Sequence, residues 1–443
     1  MDLANLIPSF GNLALTVLAF ILALIPIVTI HEFGHYIVGR WSGIRADVFS
    51  VGMGPTVFSR TDKHGTRWQI AAYPVGGYVK FHGDANAASA NADDAALAGM
   101  DEAEKRTTLH GAPLWARAAT VSAGPLANFV FSTLVFATML FFAGIPTDPL
   151  TVDRVDTTIA GDLRSGDVVL AINGQPTPGL EGLFAYVDTL PDKSPLTWTV
   201  ERDGQTVDVE ALHPYPPLVS GVNARSAAID AGLHLGDLIE TVNGDPIASF
   251  GDLQEIVANG DGAALDLGIN RSGERLNITL SPRRQDIPNA DGSFETRWLI
   301  GIAGGLLFDP ASRTPGLWDT LTGGADQVIY IIRASLTGLA QMIVGNISSC
   351  NMGGLISIAQ TSGQAASQGA MSFVGFLAVL STAIGLLNLF PIPVLDGGHL
   401  VFHAYEALAG KPPSERVLGW LMTIGLFVVL SAMLFGLMND LMC

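Results

Sequence analysis

Charge is what this chain of 443 residues most lacks, with 14% of its residues charged against about 25% in an average soluble globular protein. That shortage argues against a purely cytosolic protein, and an apolar share of 49% with a mean hydropathy of +0.38 points the same way. Basic residues are the scarcer sign, 23 Lys and Arg against 41 Asp and Glu, giving a net charge of −18. Such a balance repels phosphate, so no nucleic-acid partner is expected. Cysteine is nearly absent: Cys350 and Cys443 are too few and too far apart for a disulfide scaffold or a thiolate metal site. Any metal must fall to His and carboxylate.

Long uncharged runs are what the chain does have. Leu13 to Ile30 is an apolar stretch of 18 residues, about the minimum for a spanning helix. It does not read as a cleaved signal, because Asp2 is the one charge before it and no small-residue cleavage site follows. Ala118 to Ala143, Phe373 to Phe390 and Val417 to Met438 repeat the pattern, which predicts four spans in the lipid bilayer. Arg40, Arg45, Lys105, Arg106 and Arg117 crowd the loop between the first two runs, and Lys411 and Arg416 lie between the last two. Basic loops stay in the cytoplasm, so both termini and the long middle segment are expected outside. Residues 327–345 are also largely apolar, but Arg333 in their middle predicts an interfacial amphipathic helix.

Between Gly144 and Leu280 the spans give way to short alternating stretches, with 21 acidic residues against 7 basic ones, as befits a soluble lobe. One pattern occurs twice. Gly166-Asp167 followed by Ile172-Asn173-Gly174-Gln175-Pro176 recurs 70 residues later as Gly236-Asp237 followed by Val242-Asn243-Gly244-Asp245-Pro246, implying two tandem modules. The pattern resembles a PDZ domain of the bacterial protease type, and such domains accept peptide C-termini by strand addition. Residues 83–111, rich in Ala, Asn and Asp, read as a flexible cytoplasmic loop.

Directly after the first run comes His31-Glu32-Phe33-Gly34-His35. On a helix, positions i and i+4 share a face, so two imidazoles can hold one Zn2+ with the intervening Glu as general base. Ionisable groups at the end of a spanning helix are expensive, and their default reading is functional. A catalytic zinc usually has three protein ligands. Asp396 is the expected third, because the first and third spans carry it and His31 to the same cytoplasmic-side depth; His399 and His403 are rivals on the same segment. Two neutral imidazoles with anionic Asp396 and Glu32 also balance the ion's charge.

These residues resemble the site-two protease family, intramembrane zinc metalloproteases. The resemblance covers nearly the whole chain. It rests on His31-Glu32-Phe33-Gly34-His35, Phe49-Ser50-Val51-Gly52-Met53-Gly54-Pro55, Gly76-Gly77-Tyr78-Val79-Lys80, Ser122-Ala123-Gly124-Pro125-Leu126-Ala127-Asn128-Phe129 and Asn388-Leu389-Phe390-Pro391-Ile392-Pro393-Val394-Leu395-Asp396-Gly397-Gly398. Met53 is a small departure where Phe is expected. The resemblance implies that His31, His35 and Asp396 hold one Zn2+, that Glu32 is the catalytic base, and that Asn388, Pro391 and Pro393 position substrate. It also implies a multi-pass protein of the bacterial inner membrane. Its substrates would be single-span proteins, such as trimmed anti-sigma factors and remnant signal peptides, filtered by the PDZ lobe.

The expected fold is therefore a polytopic α-helical membrane protein of four spans with a re-entrant β element, plus two tandem β-rich PDZ domains. The first two spans and the β loop occupy 1–143, the PDZ modules 144–213 and 214–283, a linker with the amphipathic helix 284–370, and the last two spans 371–443. The strand-like stretches Trp68 to Tyr73 and Gly77 to Phe81 are expected to form the re-entrant sheet, whose edge takes the unwound substrate. A membrane-tethered PDZ adaptor with a structural metal, or a metal transporter using the same three ligands, are the alternatives from other classes.

Overall fold

The computed structural model describes residues 10–85, 98–288 and 294–442. The part of the expected cytoplasmic loop at 86–97 lies outside the described residues. Among the described residues five helices are long and apolar enough to cross a membrane. Four of them, α1 (Phe10–Trp41), α2 (Leu114–Ala143), α5 (Ala370–Asn388) and α7 (Glu415–Met442), coincide with the expected spans. The fifth, α3 (Leu317–Val344), begins ten residues before the amphipathic helix expected at 327–345 and also meets the length and composition of a span. Arg333 weighed against spanning in the sequence, yet the helix carries enough Leu, Ile and Val on either side to offset one charge. Two further helices, α4 (Leu355–Ser367) and α6 (Asp396–Ala409), were not expected as separate elements.

The chain divides into two compact units. In the first, α1 runs without a break from its apolar run through His31, Glu32 and His35 to Trp41, which puts both imidazoles on one face. After α1 come two long antiparallel strands, β1 (Ala46–Thr61) and β2 (Arg67–Phe81). Both bend back, so that 48–51 pairs with 77–81 on one side and 67–70 on the other, and 67–71 pairs again with 56–61. Both stretches expected to form the sheet do so: Trp68–Tyr73 runs in its interior, while Gly77–Phe81 forms an outer rank. Phe49, Val79 and Phe81 are buried with Tyr36 of α1 and Ala116 of α2, which fixes one end of the sheet against the helices. At the other end Val57, Phe58 and Tyr73 are 71%, 62% and 62% exposed.

The third apolar run does not continue as helix to Asp396. It stops at Asn388, because Pro391 and Pro393 lack the N–H groups a helix would need and disfavour helical geometry in the residues before them. The chain turns, with Leu395 N–H donating to Ile392 O, and Asp396 opens α6 in its first turn.

The second unit holds the repeat. Each lobe is a four-stranded sheet of the same order: 175–176, 168–172, 196–202, 205–211 in the first and 245–246, 238–242, 265–271, 274–280 in the second. The recurring Asn-Gly is the hairpin turn after the first long strand. Asn173 and Gly174 have φ of 51° and 78°, and Asn243 and Gly244 have 54° and 89°, the left-handed pair that a two-residue hairpin needs. The recurring Asp is buried under an arginine from the third strand: Arg202 donates to both Asp167 oxygens at 2.7 Å, and Arg271 to both Asp237 oxygens at 2.7 Å. Separate cores surround Trp198 in one lobe and Leu267 in the other.

The first part of the segment expected as a linker at 284–370 is built of short strands. Arg283–Pro288 and Phe294–Leu299 form a hairpin, Ile302–Gly304 pairs with Val219–Val222, and Phe308–Pro310 pairs with Val152–Val155. The returning segment thus adds a strand to both lobes, burying Ile300 in the second core and Phe308 in the first. Cys350 is disulfide-bonded, so the scarcity of cysteine excluded a scaffold but not a single bridge.

Candidate metal centre

His31, His35 and Asp396 converge in the first unit, with their donor atoms all within 4.8 Å of one another, the one such cluster among the described residues. The imidazole Nε2 atoms lie 3.2 Å apart, and Asp396 Oδ2 is 3.1 Å from that of His31 and 3.5 Å from that of His35. Donors at about 2.0–2.2 Å from a tetrahedral zinc stand about 3.3–3.6 Å from each other, so the triangle has the dimensions of one face of such a site. The proton count agrees. Asp396 Oδ2 is buried and accepts no hydrogen bond despite its two nitrogen neighbours, an unsatisfied state that a cation would relieve. His35 Nδ1 lies 2.8 Å from the carbonyl oxygen of Thr120; donating there makes Nδ1 the protonated nitrogen and leaves the Nε2 lone pair for a metal.

The closeness depends on α2. A Cβ at Gly124 would collide with His35 Nε2 and lie 2.9 Å from His31 Cε1, so only glycine leaves room for the two edge-to-face rings against that helix. Sequence spacing brought out the three donors but not this support. The GP motif around Gly124 was the available signal, and the Thr120 carbonyl, being backbone, left none.

Glu32 and Asn388 line the same cavity of about 640 Å3 as the three donors, together with Gly77 and Tyr78 of the outer strand. Asn388 Nδ2 donates to Ile384 O at 3.1 Å, which steadies the amide at the end of α5. Pro391 and Pro393 do not line the cavity; they shape the turn that delivers Asp396. His399 and His403 do line it, one and two turns along α6, but fall outside the donor cluster. Met53 lines it as well, so the departure from the expected Phe faces the site. An unexpected pair also borders the cavity: Arg117 at the start of α2 holds Glu406 of α6 by two hydrogen bonds of 2.6 and 3.0 Å.

Comparison with known proteins accounts for this geometry. The model of peptidase family M50 matches residues 19–432. A protein of Rhizobium meliloti provisionally named a zinc metalloprotease is 36% identical, over 97% of each chain. The regulator of sigma-E protease RseP of Escherichia coli K12 is 31% identical, over 95% of this chain and 97% of the relative. Its counterpart in Salmonella typhimurium 14028s is 32% identical over the same shares. A paired-histidine helix, an aspartate from a broken helix and a match over nearly the whole length converge on one conclusion: the chain belongs to peptidase family M50, the site-2 protease family of zinc metalloproteases.

Proposed function

We propose that this metalloprotease cuts single-span membrane proteins within their transmembrane segments, with His31, His35 and Asp396 as zinc ligands and Glu32 as the catalytic base. The observation that carries the reading is the close triangle of donors among helices apolar enough to span a bilayer. Zinc held there supplies Lewis acidity. Glu32, beside both imidazoles on α1 and lining the same cavity, takes the proton of the attacking water and returns it to the leaving amine.

A helical substrate hides its scissile carbonyl in its own hydrogen bonds, so it must unwind beside the site. The outer strand Gly77–Phe81 borders the cavity and offers a direction for the unwound segment to follow, with the Asn388 amide beside it. The exposed Val57, Phe58 and Tyr73 at the far end of the sheet support its dipping into lipid. The two lobes are PDZ modules that bind peptide C-termini and filter substrates; their equal strand orders support that reading. Both termini and the lobes lie outside the bacterial inner membrane, and the disulfide at Cys350 supports an oxidising side. The substrate class that the family resemblance implies is an anti-sigma factor already trimmed by another protease, with remnant signal peptides beside it; that relatives are named regulators of sigma E supports this reading.

Detergent-solubilised protein incubated with a single-span test substrate decides the matter. Cleavage that a zinc chelator stops, and that Glu32→Gln abolishes with zinc still bound, is the expected result. Substrate binding without turnover in the unmodified protein would leave a PDZ adaptor with a structural metal instead.

A further inference from the structure

Both imidazoles present Nε2 to Asp396, so each must use Nδ1 to fix its orientation. A neutral imidazole has one N–H; once Nε2 gives its lone pair to zinc, the proton sits on Nδ1 and needs an acceptor. For His35 the acceptor is the Thr120 carbonyl. For His31 the group that meets Nδ1 is the side-chain amide of Asn128, 3.4 Å away. Asn128 is fully buried at 0% exposure, and its Oδ1 has no hydrogen-bond partner. A half-turn of the amide about its last torsion exchanges nitrogen for oxygen, which would give the orphaned Oδ1 a donor and Nδ1–H its acceptor in one motion.

Thr120, Gly124 and Asn128 stand at i, i+4 and i+8 on α2, so a single stripe of that helix faces both rings. Its outer members hold one imidazole each, and its middle member makes room for them. Asn128 itself is anchored from behind, where Ser132 and Ser381 donate to its backbone carbonyl at 3.0 and 3.2 Å.

We infer that Asn128 is a positioning residue of the metal site, its amide oxygen accepting from His31 Nδ1 and thereby holding Nε2 toward the zinc. The inference rests on the metalloprotease reading and adds to it the residue that fixes the His31 tautomer. Loss of such a partner typically weakens metal affinity about 10–100-fold.

The test is the zinc dissociation constant of the purified full-length protein, measured by competition with a chromophoric chelator, with the melting temperature of the zinc-free form as a folding control. Asn128→Leu, of similar size but without an acceptor, should bind zinc about 10–100-fold more weakly while melting as the unmodified zinc-free protein does. Asn128→Asp restores an acceptor and should stay within about threefold of the unmodified protein; a merely space-filling role would not separate the two variants. Retention of full affinity by Asn128→Leu, or an equal loss in Asn128→Asp, would overturn the assignment. Should Asn128→Leu not fold, the aspartate variant decides alone, with a tenfold loss counting against the inference. Absence of zinc from the unmodified protein would sink the metalloprotease reading as well, and that titration keeps the two failures apart.

Discussion

The lobes and the helical unit both hold aspartate oxygens away from solvent, and they treat them in opposite ways. Asp167 and Asp237, with side chains 1% and 0% exposed, each receive a two-pronged arginine, and each also accepts a backbone N–H, from Arg164 and His234. Both oxygens of each carboxylate are hydrogen-bonded, which ties the third strand of each sheet to the loop before its first long strand. Asp396 is brought within reach of two nitrogens and its Oδ2 is given no hydrogen bond. A buried acceptor that is fully satisfied marks a structural joint, whereas one that converges with other lone pairs and is left wanting marks a site for a cation.

The sharpest way to break this contrast is to swap Asp for Asn in both places. Asp396→Asn should lower zinc content from one per chain to near zero by elemental analysis, leaving the lobes as resistant to proteolysis as before. Asp237→Asn should keep its zinc but lower the stability of the second lobe by about 2–3 kcal/mol, since Arg271 loses its charged partner. Zinc loss from the lobe variant, or lobe unfolding in the other, would erase the distinction. A smaller effect is expected from Gly124→Ala: the added methyl displaces the rings and should weaken zinc affinity about tenfold or more by chelator competition, again without change in the lobes.

The smallest effect concerns His213, between the lobes, which refines the claim that the second unit satisfies its polar groups. It is 2% exposed and its Nε2 has no partner. Burial holds its pKa below the ordinary value, against the opposing pull of the Tyr215 backbone and of Asp192, Asp252 and Asp188. The folded state therefore prefers the neutral ring and the unfolded state binds the extra proton. Stability is complete above the unfolded value of about 6.5 and declines as pH falls below it. Denaturant midpoints of the lobe transition between pH 7.5 and 5.5 should fall, and His213→Gln should flatten that fall; an unchanged slope would assign it to other groups.

Much of this was legible beforehand because the relevant signals are side chains at fixed spacing. The pair His31 and His35 is a helical repeat, the Asn-Gly turns announce hairpins, and the spans are long apolar runs. The parts that stayed hidden have physical reasons. Ile302–Gly304 and Phe308–Pro310 are strands of three residues, too short for alternation to register. The break before α6 was readable in Pro391 and Pro393, which close the third run at Phe390, but the start of a new helix at Asp396 itself was not. Arg117 and Glu406 are 289 positions apart, and nothing local in either neighbourhood names the other.

The strand returned to the first lobe has a bearing on the order of assembly. Val152–Val155 finds its partner in Phe308–Pro310, more than 150 residues downstream, after the whole second lobe has been made. As the chain leaves the ribosome, the earlier module must wait with an unpaired flank and an open seat for Phe308 while the later one closes. Completion of the pair therefore comes as one late, long-range step, and a chain halted before residue 308 would carry its first lobe unfinished.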